Sequence, residues 1–381
     1  MYNYAIVLIG YNRINGLNRL YESIKKADYG DDNVTLIISL DYSGNQNIID
    51  LVESFEWNHG EKRIILHQEK LGLKNHILKC GELLNEFDAI ALFEDDILVS
   101  TNFYQFMKQS VPFYYDNKQV AGISLYSHQW NVNANLPFTP ALSSYDIYFL
   151  QFAQSWGQIW LKNQWFEFID WYKQNLNFDS SDNSRVPEYV RNWKETSWLK
   201  YHIKFCIENN KFFVYPYQSL TTCFADVGVH NQTVTNHLQV PIQSGKRKYF
   251  LTNLDNKNAI FYDSHFERMH LKGHISGIDY DLISFDLYGT KEVIFTKYLL
   301  SSQKLNGKLI KSYSSEMIPI EENIVNNIPG NDLYLYSFEK NKFIKEKNNN
   351  LTSKKIITFY KMNLSFLNLI KLIFYKIRKK W

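Results

Sequence analysis

The chain has little cysteine and almost no excess charge. Its three cysteines, Cys80, Cys206 and Cys223, are odd in number and show no Cys-x-x-Cys spacing. Neither a disulfide framework nor a zinc knuckle is therefore predicted, and a reducing cytoplasm fits best. The formal net charge of +3 is too small to indicate the strongly basic domain that binds nucleic acid, so we expect no nucleic-acid partner.

The first ten residues lack the basic segment and the long apolar run of a signal peptide, and we expect a cytoplasmic protein. Aromatic residues, in contrast, make up 16% of the chain, which suits either stacking on sugar rings or an aromatic-rich core. With 381 residues, 45% hydrophobic and 21% charged, the chain is long enough for two globular domains.

Apolar runs alternate with helical periodicity through the first hundred residues. Strands are predicted at 4–9, 34–40, 64–67 and 88–93, and helices from residue 15, at 48–55 and at 73–87. This alternation predicts an α/β fold with a mostly parallel sheet covered on both faces. Ligands of such sheets bind at the carboxyl ends of the strands.

Three consecutive acids, Glu94, Asp95 and Asp96, follow the fourth predicted strand, and Asp41 ends the second. Carboxylates crowded after a buried strand are costly without a cation, so a divalent metal site is the favoured interpretation. The alternative is an acidic helix start, with Ser100 and Thr101 capping a helix near Asn102.

Two segments carry a family resemblance. Residues 4–13, which end in Gly10-Tyr11-Asn12-Arg13, resemble the opening strand and loop of family-two-like inverting glycosyltransferases of the GT-A (nucleotide-diphosphosugar transferase) fold. Residues 92–103, with Glu94-Asp95-Asp96, resemble the Glu-Asp-Asp segment of the Golgi N-acetylglucosaminyltransferase that begins complex N-glycans. Residues 155–160 resemble a segment of bacterial members of this family, and residues 215–216 and 227–230 resemble the strand and loop that close their catalytic domain. Gly10 departs from the usual Thr or Ser, and Gln158-Ile159 departs from the usual small and aromatic pattern.

The resemblance implies transfer of a sugar from a nucleotide-diphosphate donor, with a UDP-sugar favoured, to a glycan acceptor. It places Mn²⁺ or Mg²⁺ on Asp96, and ribose, sugar hydroxyls or metal-bound water on Glu94 and Asp95. His230 is either a further metal or phosphate contact or a structural loop histidine. Such an ion neutralises the charge that develops on the departing diphosphate.

The nucleotide is expected between Asp41 and the backbone of residues 10–13. Asp41 can accept a hydrogen bond from a base N–H group or a ribose hydroxyl. Two interpretations of Arg13 stay open, namely contact with the diphosphate and a surface ion pair with Asp41.

An inverting transfer needs a general base on the acceptor side. The resemblance implies an acid near the start of the helix predicted after Trp198, so Glu195 is the first candidate and Glu188 the second; a helix-capping role for Glu195 is the alternative. Of Trp156, Trp160, Trp193 and Trp198, one or two are expected to stack on a sugar and the others to fill the core.

Beyond residue 245 the pattern changes to short β-like runs, at 259–262, 280–287, 292–298, 308–313 and 332–338. We expect a catalytic domain at 1–245, a small β-rich accessory domain at 246–345, and a basic linker with an amphipathic helix at 346–381. The helix predicts peripheral contact with the inner face of the cell membrane, or packing within the protein or a homodimer.

A membrane-surface position fits a lipid-linked glycan acceptor, as in capsule, lipopolysaccharide or other surface-glycan synthesis in bacteria. Two other functions stay open. A sugar nucleotidyltransferase shares the sheet but requires a glycine-rich phosphate loop, which residues 10–15 do not supply. A non-enzymatic glycan-binding protein would tolerate loss of Asp96.

Overall fold

The computed structural model describes residues 2–176, 185–224, 238–245, 248–271, 273–339 and 343–345, together with Ile370 and Phe374. Within these ranges, no helix is long and apolar enough to cross a membrane.

The amino-terminal part alternates strands and helices, as the sequence pattern predicts. The strands up to residue 224 are β1 (Tyr4–Gly10), β2 (Thr35–Leu40), β3 (Lys62–Leu66), β4 (Ala89–Glu94), β5 (Ile97–Val99), β6 (Val120–Ser124), β7 (Trp130–Asn131), β8 (Leu136–Pro137), β9 (Ile147–Leu150), β10 (Gln158–Leu161), β11 (Phe212–Pro216) and β12 (Thr221–Cys223). The helices are α1 (Ile14–Lys25), α2 (Gln46–Ser54), α3 (Gly72–Gly81), α4 (Phe103–Tyr114), α5 (Lys162–Gln174), α6 (Glu188–Arg191) and α7 (Trp198–Glu208), with a 3₁₀ turn at Glu82–Asn85.

The later part is built mainly of short strands. These are β13 (Phe261–Tyr262), β14 (Arg268–Met269), β15 (His274–Ile275), β16 (Ile278–Asp279), β17 (Ile283–Asp286), β18 (Val293–Ile294), β19 (Tyr298–Ser301), β20 (Lys308–Tyr313), β21 (Leu333–Ser337) and β22 (Phe343–Ile344), with a 3₁₀ turn at Tyr280–Leu282 and helix α8 (Glu322–Val325).

One ten-stranded sheet organises the molecule, in the order β14-β13-β9-β11-β6-β10-β4-β1-β2-β3. The four strands β3, β2, β1 and β4 are mutually parallel, as predicted. β10 runs antiparallel between β4 and β6, and β9 runs antiparallel to β11. The fold is therefore mixed α/β, with a large sheet in which most strands share one direction.

Strand β1 shows why the sheet is buried on both faces. Its residues Ala5, Val7 and Ile9 belong to one apolar cluster, and Ile6 and Leu8 belong to the other. Side chains of a strand alternate between the two faces of its sheet, so a continuous apolar run fills two cores. Helices α1, α2 and α4 cover one face, and α3, α5 and α7 cover the other.

Local chemistry fixes the ends of helix α2. The side chain of Asn45 accepts a hydrogen bond from the Asn47 N–H (3.1 Å) and so caps the amino end. At the carboxyl end, the Lys62 ammonium donates to the carbonyls of Val52, Glu53 and Phe55. A cation at this end complements the helix dipole.

The ten-stranded sheet continues past residue 245, where the sequence pattern placed a domain boundary. β13 pairs with β9 in parallel, and β14 pairs with β13. Tyr262 of β13 also donates to Glu321 at 2.6 Å, within the later part of the chain. The three-part division stays a prediction, and any boundary at 245 has to accommodate this pairing.

A second sheet has four strands, in the order β17-β19-β21-β20. Its strand β20 has the predicted bounds, and β21 lies within the predicted run 332–338. Leu300 and Leu335 of this sheet belong to the same apolar cluster as Ala5 and Val7. Apart from Ile370 and Phe374, the predicted carboxyl-terminal helix lies outside the described residues.

Candidate functional site

The three acids come at the end of one strand and before the next, so strand β5 separates them from the helix that was predicted near Asn102. That helix is present, and Ser100 Oγ accepts from the Asn102 N–H at 3.1 Å ahead of its first turn. Glu94 is the last residue of β4, and Asp95 and Asp96 form the turn into β5. Helix α4 begins only at Phe103. The Asp95 and Asp96 side chains are 13% and 28% exposed, so the carboxylates stand close together at the sheet edge with limited access to water.

Burial and the neighbouring acids both perturb the carboxyl group of Glu94. Burial, followed by the negative charges of Asp96 and Asp95, raises the pKa of Glu94 to about 8, and Arg13 and the Ser155 hydroxyl act in the opposite direction. Like charges that share a site disfavour ionisation of one of them. A positively charged partner beside Glu94, Asp95 and Asp96 would therefore be stabilising.

Arg13 supplies part of that charge. Its Nη1 donates to Asp95 Oδ1 at 3.0 Å and to Asp96 Oδ2 at 3.4 Å. The structure thus shows an ion pair that the sequence analysis did not consider, and the Arg13 partners described do not include Asp41. Contact between Arg13 and a diphosphate stays a prediction.

Backbone contacts hold this region together. A Cβ atom on Gly16, in the first turn of α1, would lie 2.5 Å from the Asp95 carbonyl oxygen, so only glycine allows this approach. On the other side, the Phe224 N–H donates to the Asp96 carbonyl at 2.8 Å. The Arg19 guanidinium lies over the Phe224 ring, 3.4 Å from its centroid. Residues 94–96, here called the acid turn, therefore contact helix α1 on one side and the residue after strand β12 on the other.

Asp41 lies directly after β2, where it was predicted, and it is 5% exposed. Its Oδ1 accepts from the N–H groups of Tyr42 (2.9 Å) and Leu71 (2.8 Å), and its Oδ2 accepts from Gly72 N–H (2.9 Å). This carboxylate holds the start of helix α3 against the end of β2. Much of its acceptor capacity is thereby used by the backbone.

The loop after β1 contacts the segments that follow β2 and β3. The Gly10 carbonyl accepts from Asp41 N–H at 3.0 Å, and Asn12 Oδ1 accepts from the Asn45 side chain at 2.7 Å. The Lys70 ammonium lies 5.0 Å from the Tyr11 ring centroid. Residues 10–13 consequently connect the Asp41 side of the edge with the acid turn.

Glu195 lies just before α7, whose amino end is capped by Ser197. Lys200 Nζ donates to its Oε1 at 2.6 Å and Tyr201 donates to its Oε2 at 2.8 Å. The hydrogen bond from Lys200 is the main reason that the pKa of Glu195 is lowered. The carboxylate is therefore ionised at neutral pH, as a base must be, but its affinity for a proton is reduced.

Helix α3 links Glu195 to the Asp41 side of the edge. Lys74, in the first turn of α3, donates to the Glu195 carbonyl at 3.0 Å, and the same turn is held by Asp41. Glu188, the second candidate, opens the short helix α6. Helices that precede parallel strands begin at the carboxyl edge of the sheet, so Asp41, Glu94 and Glu195 all occupy this edge.

Two of the four tryptophans are buried and two are half-buried, and stacking of any of them on a sugar stays a prediction. Trp160 is 1% exposed and stacks on Trp165 with centroids 3.8 Å apart, and Trp198 is 2% exposed. Trp193 is partly buried and packs against the core. Trp156 is also half-buried and directly follows Ser155, whose hydroxyl contacts Glu94.

His230 lies outside the described residues. Within the described ranges, no group of three or more His, Cys, Asp or Glu side chains is arranged to hold a metal ion. A metal that also binds substrate phosphates requires only one or two protein carboxylates, so Asp96 stays the predicted ligand.

Sequence reasoning missed two features of this edge. Ser155 beside Glu94 belongs to a segment noted only for likeness. Ser39 of β2 contacts two histidines, with its Oγ 2.7 Å from His76 Nε2 and 3.3 Å from His67 Nε2. No local pattern signals either contact, because each joins residues more than 25 positions apart.

Comparisons with known proteins give distant likenesses. No family model matches the chain, and no curated protein sequence matches it. Residues 1–349 of S. aureus TarS in complex with UDP-GlcNAc are 12% identical, with 60% of this chain and 60% of that chain covered and a TM-score of 0.38.

Two further structures show likeness of the same order. The mannosyltransferase PcManGT from Pyrobaculum calidifontis, in complex with GDP-Man and Mn²⁺, is 9% identical, with 50% of each chain covered and a TM-score of 0.31. GalNAc-T7 with UDP, GalNAc and Mn²⁺ is 12% identical, with 57% of this chain and 43% of that chain covered and a TM-score of 0.38. The chain thus matches less than two thirds of each of these proteins, and conclusions about its function depend on its own residues.

Proposed function

We propose that the chain is a metal-dependent, inverting glycosyltransferase of the GT-A type. It moves a sugar from a nucleotide-diphosphate donor, with a UDP-sugar favoured, to a glycan acceptor. The observation that carries the proposal is the row of three partly buried carboxylates, Glu94 at the end of the buried strand β4 and Asp95 and Asp96 in the turn that follows. This turn shares the carboxyl edge of the sheet with Asp41 and Glu195, where α/β proteins bind ligands.

The residues present fit Mn²⁺ or Mg²⁺. The donor set is composed of carboxylate oxygens, which these ions prefer. The pKa of Glu94 is raised first by burial and then by the neighbouring charges of Asp96 and Asp95, which a cation would offset. Asp96 would hold the ion, with Glu94 and Asp95 close by, and His230 is a further candidate. When bound, the ion would stabilise the negative charge of the departing diphosphate.

The nucleotide is proposed to lie across residues 10–13. Gly10, Tyr11 and Asn12 place backbone and side-chain groups between Asp41 and the acid turn. Asp41 fixes the loop before α3, and its remaining acceptor position can meet a base or a ribose hydroxyl.

Glu195 is proposed to take the proton from the acceptor hydroxyl, with Glu188 as the second candidate. Glu195 is ionised and is 63% exposed, so an acceptor can approach it. Its contacts with Lys200 and Tyr201 hold the carboxylate in one orientation, and they also lower its pKa, which makes it a weaker base.

The acceptor is proposed to be a surface glycan, including a lipid-linked one, in a bacterial cell. The predicted helix at 362–381 would bring the enzyme to the inner face of the membrane, and a homodimer is the other proposed use of that helix.

The proposal is tested by incubating the protein with UDP-, GDP- and CMP-sugars in the presence of Mn²⁺, Mg²⁺ or EDTA and measuring nucleotide release. We expect turnover of at least one donor that EDTA abolishes. Asp96→Ala should abolish this turnover and Glu195→Gln should reduce it, both with an unchanged circular dichroism spectrum. Absence of both metal-dependent turnover and donor binding across the panel would refute the proposal.

A further inference from the structure

Arg13 occupies the place at the acid turn where the ion is proposed to bind. Its Nη1 contacts one carboxylate oxygen of Asp95 (3.0 Å) and one of Asp96 (3.4 Å). The Arg13 side chain is 33% exposed and the two acids are less exposed, so the three charges are partly shielded from solvent. Ion pairs in such surroundings are stronger than those on an open surface.

The position of this guanidinium is set by the fold. Arg13 directly precedes α1, and its carbonyl accepts the Leu17 N–H at 2.9 Å in the first helical turn. The same turn approaches the Asp95 backbone through Gly16. The start of α1 therefore meets the acids at two points, through the backbone at Gly16 and through the Arg13 side chain.

A divalent ion on Asp96 and the guanidinium on Asp96 compete for the same carboxylate. An ion held by Asp96 would compete with the longer Arg13 contact, at Asp96 Oδ2, while Arg13 is still paired with Asp95 at 3.0 Å. Two positive groups would then stand close together, which opposes binding of the ion alone. A diphosphate changes this balance, because its oxygens offer Arg13 a new anionic partner with geometry suited to a guanidinium.

We infer that Arg13 makes metal binding dependent on the diphosphate: it neutralises Asp95 and Asp96 in the free protein and turns to the diphosphate when the ion arrives. This inference rests on the proposed function and assigns Arg13 a role in binding the diphosphate. By linkage, the affinity for Mn²⁺ then rises when the nucleotide is present, and the affinity for the nucleotide rises equally with Mn²⁺.

The experiment measures the dissociation constant of Mn²⁺ by electron paramagnetic resonance, without nucleotide and with saturating UDP or GDP. It compares the wild type with Arg13→Met, and with Arg13→Gln as a second neutral variant in case the first folds poorly. Arg63→Met is the matched control, because Arg63 also pairs with two acids, Glu61 and Glu86, and its side chain is 34% exposed.

Loss of Arg13 should lower the dissociation constant of Mn²⁺ without nucleotide about tenfold. The ratio of the dissociation constant without nucleotide to that with nucleotide should therefore fall about tenfold, within the range typical of coupled sites. Arg63→Met should behave like the wild type. An unchanged ratio in both neutral Arg13 variants would overturn the inference and leave the proposed function intact. A wild type that binds neither nucleotide in the presence of Mn²⁺ would overturn both.

Discussion

The ammonium group of Lys200 donates to Glu195 at 2.6 Å, although the Lys200 side chain is only 2% exposed and that of Glu195 is 63% exposed. A buried cation thus fixes an accessible carboxylate. If Glu195 is the base, this pair sets the pH below which the enzyme loses activity, because the contact lowers the pKa of Glu195.

Lys200→Met should therefore shift the acidic limb of the kcat/KM profile to higher pH. The sign follows from the loss of a positive neighbour, which raises the pKa of the carboxylate and protonates the base at a higher pH. Lys204→Met is the control, because Lys204 pairs with Glu208 on the same helix and away from Glu195. An acidic limb that stays in place would show that the base is another residue.

Asp41→Ala should lower the free energy of unfolding by about 2–3 kcal/mol, since the carboxylate accepts three backbone N–H groups and charged acceptors make the stronger hydrogen bonds. Urea denaturation measures the change. Asp50→Ala, which removes an exposed acceptor of Gln46, should change stability by less than about 0.5 kcal/mol. Equal effects of the two substitutions would argue against a structural role for Asp41.

Acid should destabilise the protein through buried histidines. Burial lowers the pKa of His202 to about 3, whereas an unfolded histidine titrates near 6.5. The unfolded state binds the proton first, so this contribution to stability is complete above about pH 6.5 and is lost as the pH falls towards about 3. Each histidine of this kind costs about 1.4 kcal/mol per pH unit in that window.

His202→Phe should make the pH dependence of unfolding shallower by that amount between pH 6 and 4. Phenylalanine suits the site, because the His202 ring stacks on Phe168 with centroids 4.2 Å apart. Urea denaturation at several pH values gives the slope. Parallel curves for the variant and the wild type would contradict the assignment.

Gly16→Ala should destabilise the protein by about 1–3 kcal/mol, because the new methyl group would meet the Asp95 carbonyl. In an unobstructed helix the same change stabilises by about 1 kcal/mol. The neighbouring exposed position provides the control, and Asn15→Ala should be neutral or stabilising. Thermal unfolding of the two variants distinguishes the outcomes by sign.

The sequence predicted the elements that local periodicity determines. The apolar positions Leu17, Leu20, Tyr21 and Ile24 are all buried along α1, and β1, β2 and β4 begin and end within one or two residues of the predicted bounds. Alternation of strands and helices was enough to place Asp41 and Glu94 at strand ends. These features depend on neighbours in sequence, which is why they could be predicted.

The contacts between distant segments could not be predicted in the same way. The ion pairs of Arg13 with Asp95 and of Lys200 with Glu195 depend on how the helices pack against the sheet. The insertion of β10 between β4 and β6 is also a matter of long-range pairing, since β10 looks locally like any short apolar strand. Roles in the site therefore depend on geometry that the sequence pattern leaves open.

The pairing of β13 with β9 has a consequence for shortened versions of the chain. β9 has the sequence Ile-Tyr-Phe-Leu and is buried along its whole length. A protein cut at residue 245 would lack β13 and would leave the backbone of this apolar strand as an open edge, the kind of edge that recruits other chains and aggregates. During synthesis the sheet likewise stays incomplete until β13 and β14, residues 261–269, have left the ribosome, so the outer edge of the sheet forms late.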